Sequence, residues 1–272
     1  MSKTTSRFLL NIVRFIPRPI RRFIIETPLK ELVRPFYHSI MNDQPTQIMN
    51  LEPPLEGRRM YLNPRWDLRY AYGIYEPSLS ETILQIVRPG WVCLDIGANA
   101  GYMALLMAKG CEPDGKVIAF EPLPANLEIL RRNITLNQLD HRITCEQFAL
   151  SNATGEQQFT FRTDTLCGAG SLVNVAPHGS EPVATISVNT IKGDEYFAQS
   201  AAPTSINFVK IDVEGAEGLV LAGLSNTLRK YRPCILLETH EVVGTTSNEA
   251  LDVLRDIGYT LKQIDHNHVL AV

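Results

Sequence analysis

The residues best suited to chemistry lie in a loop that follows an apolar stretch, Val92 to Ile96. Within and after that stretch, every second position carries a polar or small residue: Asp95, Gly97, Asn99 and Gly101. Glycine lacks the side chain that would keep a ligand from the backbone, and asparagine tolerates a left-handed turn. The order D-x-G-x-N-x-G differs from the G-x-G-x-x-G of dinucleotide-binding loops. A carboxylate beside open backbone favours a cationic cofactor over a phosphate.

A second acid stands where a nucleoside cofactor would meet it. The segment from Gly115 to Phe120 predicts a buried strand, Glu121 follows it, and Pro122 leads into a helix. In doubly wound folds an acid roughly 20 residues beyond the glycine loop accepts hydrogen bonds from ribose hydroxyls. Either signal alone is common in simple strand-to-helix connections. The two together predict a nucleoside-binding site.

Charged residues alternate with apolar ones from Ile206 to Gly215, where a central strand is predicted. A period of two places Lys210, Asp212 and Glu214 on one face of that strand. Because burying an unpaired charge is costly, these charges should pair with each other or meet a ligand. A Lys210–Asp212 ion pair that only orders the sheet is the alternative. Ligands of open α/β sheets bind at the carboxyl ends of strands, where Asp212 and Glu214 would lie.

The next predicted strand, Cys234 to Thr239, places Glu238 and His240 on one face at the same end of the sheet. A single histidine is more often structural than catalytic. An imidazole with an ordinary pKa near 6.5 nevertheless suits a general base. We therefore expect His240 to join the acids in one site.

Composition bounds the class of protein. The chain has 272 residues, 44% of them hydrophobic and 20% charged, which is typical of a globular protein. Its net charge of -3 argues against a general nucleic-acid binder. The five cysteines form no C-x-x-C pair, which predicts reduced thiols of an intracellular protein. With neither a transmembrane-length apolar run nor a secretory cleavage site, we expect a cytoplasmic protein.

The chain divides into three predicted parts. Residues 1–42 form a basic arm interrupted by Pro17 and Pro19, and its short helices would pack on the catalytic domain or on a second subunit. A membrane-surface anchor through residues 1–40 and an organellar transit peptide are the alternatives. Residues 43–77 predict a proline-rich and aromatic linker or partial lid. Strands and helices alternate in residues 78–272, which predicts a parallel sheet covered on both faces. The alternation includes a strand from Ile206 to Val213 and a helix from about Ala216 to Lys230.

One segment, from about Ser151 to Thr190, interrupts this alternation. Two strand patterns, Glu156 to Phe161 and Ala184 to Val188, flank a loop from Cys167 to Ser171. Loops that carry function and plain surface excursions are equally compatible with this pattern. The loop is a candidate for substrate binding.

Several motifs in order resemble the FkbM family of S-adenosylmethionine-dependent methyltransferases. They are Tyr75 to Pro77, Leu94 to Tyr102, Ile118 to Pro122, Lys210 to Glu217, and Glu238 to His240. The similarity covers roughly residues 70–272 and leaves out the basic arm. It implies a class I methyltransferase fold, Rossmann-like, with a mostly parallel sheet of seven strands of which the last is antiparallel. It also implies methyl transfer to an oxygen of a sugar, lipid or secondary metabolite.

The resemblance further implies roles for individual residues. The cofactor-binding residues would be Asp95, Gly97, Asn99 and Gly101 for the methionine end, Glu121 for the ribose, Phe148 and Ala149 for adenine, and Glu76. We predict His240 as the general base, with Asp212 and Glu214 orienting the acceptor hydroxyl; Asp212 is the alternative base. We expect a site without a metal, although Asp212, Glu214, Glu238 and His240 could instead hold a divalent ion.

Two rival functions remain at this point. A nicotinamide-dependent oxidoreductase would require the G-x-G-x-x-G loop that this chain lacks. A non-catalytic member of the fold would bind the cofactor or a partner without turnover. The expected partner is a small-molecule hydroxyl acceptor and not a nucleic acid, and a homo-oligomer is left open.

Overall fold

A computed structural model describes residues 16–29, 32, 46–163, 170–173, 183–199, 203–240 and 247–272. The chain forms two compact units, Met1–Pro77 and Ser78–Val272. The predicted arm and linker both fall in the first unit. Their predicted boundary, at residue 42, lies outside the described residues.

The first unit contains a helix, a hairpin and a second helix. Helix α1 is Arg18–Glu26, strands β1 (Gln47–Asn50) and β2 (Arg59–Leu62) pair antiparallel, and helix α2 is Pro64–Ala71. The predicted linker thus contains regular structure, and its role as a lid stays a prediction. No helix of the described part of the chain is long and apolar enough to cross a membrane.

A buried arginine holds α1 within this unit. The guanidinium of Arg21 donates hydrogen bonds to both carboxylate oxygens of Glu52 and lies 4.6 Å from the ring centre of Tyr72. Ile20 and Phe23 of the same helix are exposed. Both a packing helix and a membrane-surface helix therefore remain predictions for the arm.

The second unit alternates strands and helices. Its elements are α3 (Pro77–Ile86), β3 (Val92–Ile96), α4 (Tyr102–Cys111), β4 (Lys116–Phe120), α5 (Pro124–Leu136), β5 (Ile143–Glu146), β6 (Ala149–Ser151), β7 (Gly155–Arg162), β8 (Gly170–Ser171), β9 (Val183–Lys192), α6 (Gly193–Tyr196), β10 (Phe208–Ile211), α7 (Glu217–Gly223), α8 (Ser225–Tyr231), β11 (Cys234–Glu238), α9 (Ser247–Ile257), β12 (Leu261–Gln263) and β13 (His268–Ala271).

Seven of these strands form one sheet in the order β12-β13-β11-β10-β3-β4-β5. The strands from β11 to β5 are parallel, and β13 runs antiparallel to both of its neighbours. This is the predicted class I methyltransferase sheet with its last strand antiparallel, so the fold prediction is confirmed.

The two central strands are buried along their length, as expected for parallel strands covered on both faces. In β10 all four residues are buried, including Lys210, and in β3 burial extends from Cys93 to Ile96 and includes Asp95. A hydrophobic core around Leu94, Val209 and Leu237 surrounds them. Charged side chains at these positions must therefore find partners inside the protein.

Two predicted elements differ in extent from those observed. The strand predicted from Ile206 to Val213 ends at Ile211, so Glu214 lies in a turn instead of continuing the alternation. The helix predicted from about Ala216 to Lys230 is divided into α7 and α8 at Leu224. Gly223 lies against the backbone of β6, where a Cβ would stand 2.0 Å from the carbonyl oxygen of Ser151.

The interrupting segment forms a second sheet in the order β6-β9-β7-β8. The predicted loop from Cys167 to Ser171 is wrong for its last two residues, because Gly170 and Ser171 pair antiparallel with β7. At Gly170 a Cβ would stand 2.7 Å from Cβ of Phe161 and 2.9 Å from the carbonyl oxygen of Thr160, so a larger residue would push against the neighbouring strand β7. Residues 164–169 lie outside the described part of the chain.

Candidate active site

The predicted cofactor loop leaves the carboxyl end of β3 with three residues in the left-handed region. The φ angles are 80° at Gly97, 49° at Asn99 and 92° at Gly101. A Cβ at Gly97 would stand 1.9 Å from the carbonyl oxygen of Asp212, and one at Gly101 would stand 2.5 Å from Cδ1 of Leu130. We predicted these glycines from ligand access. The structure adds a different reason, which is the close approach of neighbouring protein atoms.

Glu121 ties this loop to the start of α5. Its Oε2 accepts a hydrogen bond of 2.8 Å from the backbone N–H of Asn99, and its Oε1 accepts one of 3.0 Å from the N–H of Leu123. Asn126 donates a third bond, of 3.3 Å, to Oε1. Burial raises the pKa of Glu121 to about 7, although these bonds act to lower it. The two elements predicted to share a nucleoside thus contact each other directly.

A buried lysine lies between the loop and the end of β10. The Nζ of Lys210 donates to the carbonyl oxygen of Gly97 at 3.1 Å and lies 3.1 Å from Asp212 Oδ2 and 3.6 Å from Asp95 Oδ1. Burial raises the pKa of Asp95 to about 6, and the charge of Lys210 acts against that rise. The Lys210–Asp212 ion pair, which is the alternative explanation of this charged strand, is therefore present. Lys210 also contacts Asp95 and Gly97, so it connects three residues of the predicted site.

The imidazole of His240 lies among four carboxylates at the carboxyl edge of the sheet. Its Nδ1 is 2.9 Å from Glu217 Oε1. Its Nε2 faces three more oxygens, at 3.5 Å for Glu214, 3.5 Å for Glu238 and 3.9 Å for Asp212. The structure thus brings the predicted residues Asp212, Glu214 and His240 together.

These neighbours change the acid-base behaviour of the site. Burial acts to lower the pKa of His240, but the hydrogen bond to Glu217 and the charges of Glu214 and Asp212 raise it to about 9. Burial and the charge of Asp212 raise the pKa of Glu214 to about 7. In this arrangement the imidazole carries its proton at neutral pH, which a general base must not do.

Sequence reasoning missed two residues of this cluster. Glu217 is the first residue of α7, and its Oε1 also accepts a hydrogen bond of 2.9 Å from the backbone N–H of Gly215. His268 begins β13 and stands opposite Glu238 in the antiparallel ladder. An antiparallel strand starts at the edge where its parallel neighbours end, so topology brings His268 to the site. Glu217 lies within the motif from Lys210 to Glu217 that resembles the family, whereas no sequence pattern points to His268.

Of the two predicted adenine residues, Phe148 is partly buried and Ala149 is buried. Phe148 packs against the main core, and Ala149 is buried beside Leu123 in a smaller cluster. A cavity of about 190 Å³ opens next to them, and its lining includes Pro122 and Gln147. Adenine contact by Phe148 and Ala149 stays a prediction, as does the cofactor role of Glu76 in the first unit.

Comparison with known proteins agrees with this geometry. The family described as methyltransferase FkbM domain matches residues 95–261. The chain belongs to this family. It is 28% identical over 200 residues to the 31-O-demethyl-FK506 methyltransferase FkbM of Streptomyces tacrolimicus, a match that covers 64% of this chain and 75% of the relative.

Two further relatives are methyltransferases. The hexuronic acid methyltransferase AglP of Haloferax volcanii is 27% identical over 175 residues, which cover 64% of this chain and 66% of AglP. The 2-O-methyltransferase NoeI of Sinorhizobium fredii is 30% identical over 180 residues, which cover 60% of this chain and 71% of NoeI.

The protein is a methyltransferase of the FkbM family, and its cofactor is S-adenosylmethionine. The loop fits this molecule chemically. Both carboxylate oxygens of Asp95 and the Oδ1 of Asn99 are buried and make no hydrogen bond to any described residue. These atoms are acceptors, and the methionine end of the cofactor carries an ammonium group, which is a donor with three hydrogens. The loop therefore offers acceptors to a cationic ligand.

Proposed function

We propose that this protein methylates a hydroxyl oxygen of a small-molecule acceptor of the sugar, lipid or secondary-metabolite class. The observation that carries the proposal is the cluster of His240 with Asp212, Glu214, Glu217 and Glu238 at the edge of the sheet. Lys210 joins this cluster to the cofactor loop through Asp212 and Gly97. A site that can take a proton from a hydroxyl thus lies beside a site for a methyl donor.

The names of the relatives support an oxygen acceptor. One is a 2-O-methyltransferase, one acts on a hexuronic acid, and one on 31-O-demethyl-FK506. These names do not share one acceptor. The proposal for this chain is therefore restricted to the hydroxyl group.

S-adenosylmethionine, when bound, supplies an electrophilic methyl group on a sulfonium. The chain would hold the ribose of this cofactor at Glu121. The residues that would hold its methionine end are Asp95, Gly97, Asn99 and Gly101. The main contribution of the protein is alignment of the acceptor oxygen with that methyl group and exclusion of water. Asp212, which forms an ion pair with Lys210, would orient the acceptor hydroxyl.

Glu214 is the carboxylate placed to take the proton from the acceptor. Its side chain is 39% exposed, whereas those of Asp212, Glu238 and Glu217 are 18%, 14% and 6% exposed. Both ring nitrogens of His240 already face carboxylates. We therefore assign proton transfer to Glu214 and orientation of the acceptor to His240 and Asp212. This assignment exchanges the roles that the sequence predicts for Glu214 and His240, and Asp212 keeps its predicted role.

The second sheet supports a place for the acceptor. Ser171 of β8 donates a hydrogen bond of 3.3 Å to the carbonyl oxygen of Val213, the residue between Asp212 and Glu214. The candidate substrate loop ends at this serine. Ser171 would thus lie beside an acceptor bound over Glu214.

Calorimetry with S-adenosylmethionine and with NAD tests the cofactor assignment, and we expect saturable binding of S-adenosylmethionine alone. Turnover is then followed as formation of S-adenosylhomocysteine with a panel of uronic acids, neutral sugars and hydroxylated lipids. Transfer of the methyl group to oxygen is checked by NMR of the product. Binding of the cofactor without turnover on any acceptor would favour the non-catalytic alternative.

The variant Glu214→Gln tests the assignment of the base. We expect a loss of kcat of roughly 100-fold or more with cofactor affinity retained, because general-base catalysis typically contributes that much. Glu249→Gln is the matched control, since Glu249 is an exposed carboxylate on α9. Equal turnover by the two variants would contradict the role of Glu214.

A further inference from the structure

We propose that Asp212, Glu238 and His240 form a binding site for a divalent metal cation. The proposal deepens the proposed function, since the cation would activate the acceptor hydroxyl at the same site. It also departs from the metal-free site predicted from sequence. Four features of the described residues support it.

The first feature is the spacing of the ligand atoms. Asp212, Glu238 and His240 each offer one atom, and these three atoms lie within 4.8 Å of one another. A cation bound at about 2.1 Å to oxygen and nitrogen ligands separates opposite ligands by about 4.2 Å. A small inward movement of the side chains would therefore complete the coordination.

The second feature is the orientation of the imidazole. Glu217, whose side chain is 6% exposed, lies 2.9 Å from Nδ1 of His240 and can accept a hydrogen bond from the Nδ1–H. This arrangement turns Nε2 toward Asp212 and Glu238. Histidines that bind metals commonly donate their other ring N–H to a carboxylate, which fixes the tautomer.

The third feature is a second buried histidine directed at the cluster. His268 is 6% exposed, and its Nε2 makes no hydrogen bond to any described residue. This atom lies 3.5 Å from Glu238 Oε2, while Nδ1 lies 2.7 Å from Asp265 Oδ1. His268 thus faces one oxygen of Glu238 as an ion-pair partner, and the other oxygen, Oε1, faces His240.

The fourth feature is an excess of negative charge. Among the described residues that contact one another here, the cationic groups are Lys210, His240 and His268, and the carboxylates are Asp95, Asp212, Glu214, Glu217, Glu238 and Asp265. Even with both imidazoles protonated, carboxylates outnumber cations. Buried charge of one sign is costly, and a divalent cation would offset it.

Carboxylate oxygens and one imidazole suit Mg²⁺, Mn²⁺ and other first-row divalent cations. Such a cation would lower the pKa of the acceptor hydroxyl as it does that of water. The hydroxyl proton passes to Glu214. The oxygen then forms a bond to the methyl carbon as the carbon–sulfur bond breaks, and that electron pair stays on sulfur in S-adenosylhomocysteine.

The experiment measures Mn²⁺ binding by the full chain, without cofactor, by electron paramagnetic resonance and calorimetry. We expect one saturable site per chain and at least a tenfold weaker affinity in each of Asp212→Asn, Glu238→Gln and His240→Gln. Asp252→Asn is the matched control, because Asp252 is an exposed carboxylate of α9 that pairs with Arg255. Circular dichroism selects the variants that are folded.

The absence of a saturable site in the full chain would overturn the inference. So would a site of unchanged affinity in any folded variant of the three. Methyl transfer at the full rate after removal of metal by a chelator would refute activation by the cation and leave the proposed function standing. Mn²⁺ binding without turnover on any acceptor would support the metal site and contradict the proposed function.

Discussion

Gly97 provides the sharpest test of how the cofactor loop is built. Gly97 and Gly90 have nearly the same φ, 80° and 79°, but a Cβ at Gly90 would meet nothing within 4 Å. The substitutions Gly97→Ala and Gly90→Ala therefore share the conformational cost of a left-handed alanine, about 1–2 kcal/mol. They differ in contact with the protein. The pair separates the steric contribution from the backbone contribution.

At Gly97 the added Cβ would lie 1.9 Å from the carbonyl oxygen of Asp212, which would have to move by at least 1.1 Å to reach the 3.0 Å limit of real contacts. That movement would strain the hydrogen bond of 3.1 Å from the N–H of Asp212 to Ile96. Overpacking costs about 1–3 kcal/mol and a lost hydrogen bond about 1 kcal/mol. Gly97→Ala should therefore lose about 3–6 kcal/mol of unfolding free energy, and Gly90→Ala about 1–2 kcal/mol.

Urea denaturation followed by circular dichroism measures both losses. Calorimetry with S-adenosylmethionine provides a second measurement, in which Gly97→Ala should bind at least tenfold more weakly and Gly90→Ala should bind as the parent protein does. Equal losses of stability in the two variants would refute the argument that contact with Asp212 requires glycine at position 97.

Two further predictions concern buried charge. Lys210→Met should lose about 3–5 kcal/mol of unfolding free energy at pH 8, because it removes the cation beside buried Asp95. The loss should be smaller at pH 5.5, where the Asp95 carboxyl, with its pKa of about 6, is largely protonated. Urea denaturation at the two pH values checks this prediction, and an equal loss would contradict it. Glu121, with its pKa raised from 4.5 to about 7, binds its proton more tightly in the folded state, so its contribution to stability falls as pH rises from 4.5 to 7. As the pH rises from 4.5 to 7, the unfolding free energy of Glu121→Gln should therefore increase by about 3 kcal/mol relative to that of the parent protein, both measured without cofactor. Parallel pH profiles of the two proteins would exclude the effect.

The sequence alone predicted the loop after β3, the acid after β4 and the acids after β10, because each lies at the end of a local apolar pattern. Period-two alternation also placed Lys210 and Asp212 on one face, and their contact at 3.1 Å confirms it. The alternation did not extend to Glu214. The strand ends earlier, and Glu214 has a φ of 53° in the following turn.

Only the tertiary structure decided what these residues contact. The strand order brings the ends of β3, β10 and β11 together, and it alone sets Asp95 opposite Lys210 in neighbouring strands. The antiparallel direction of β13 brings His268 to the same edge. Local patterns fix which face a side chain occupies, whereas contacts between strands depend on the order and direction of the whole sheet. The sequence therefore determined the cofactor loop and its acids, and the fold determined that His240 lies among four carboxylates.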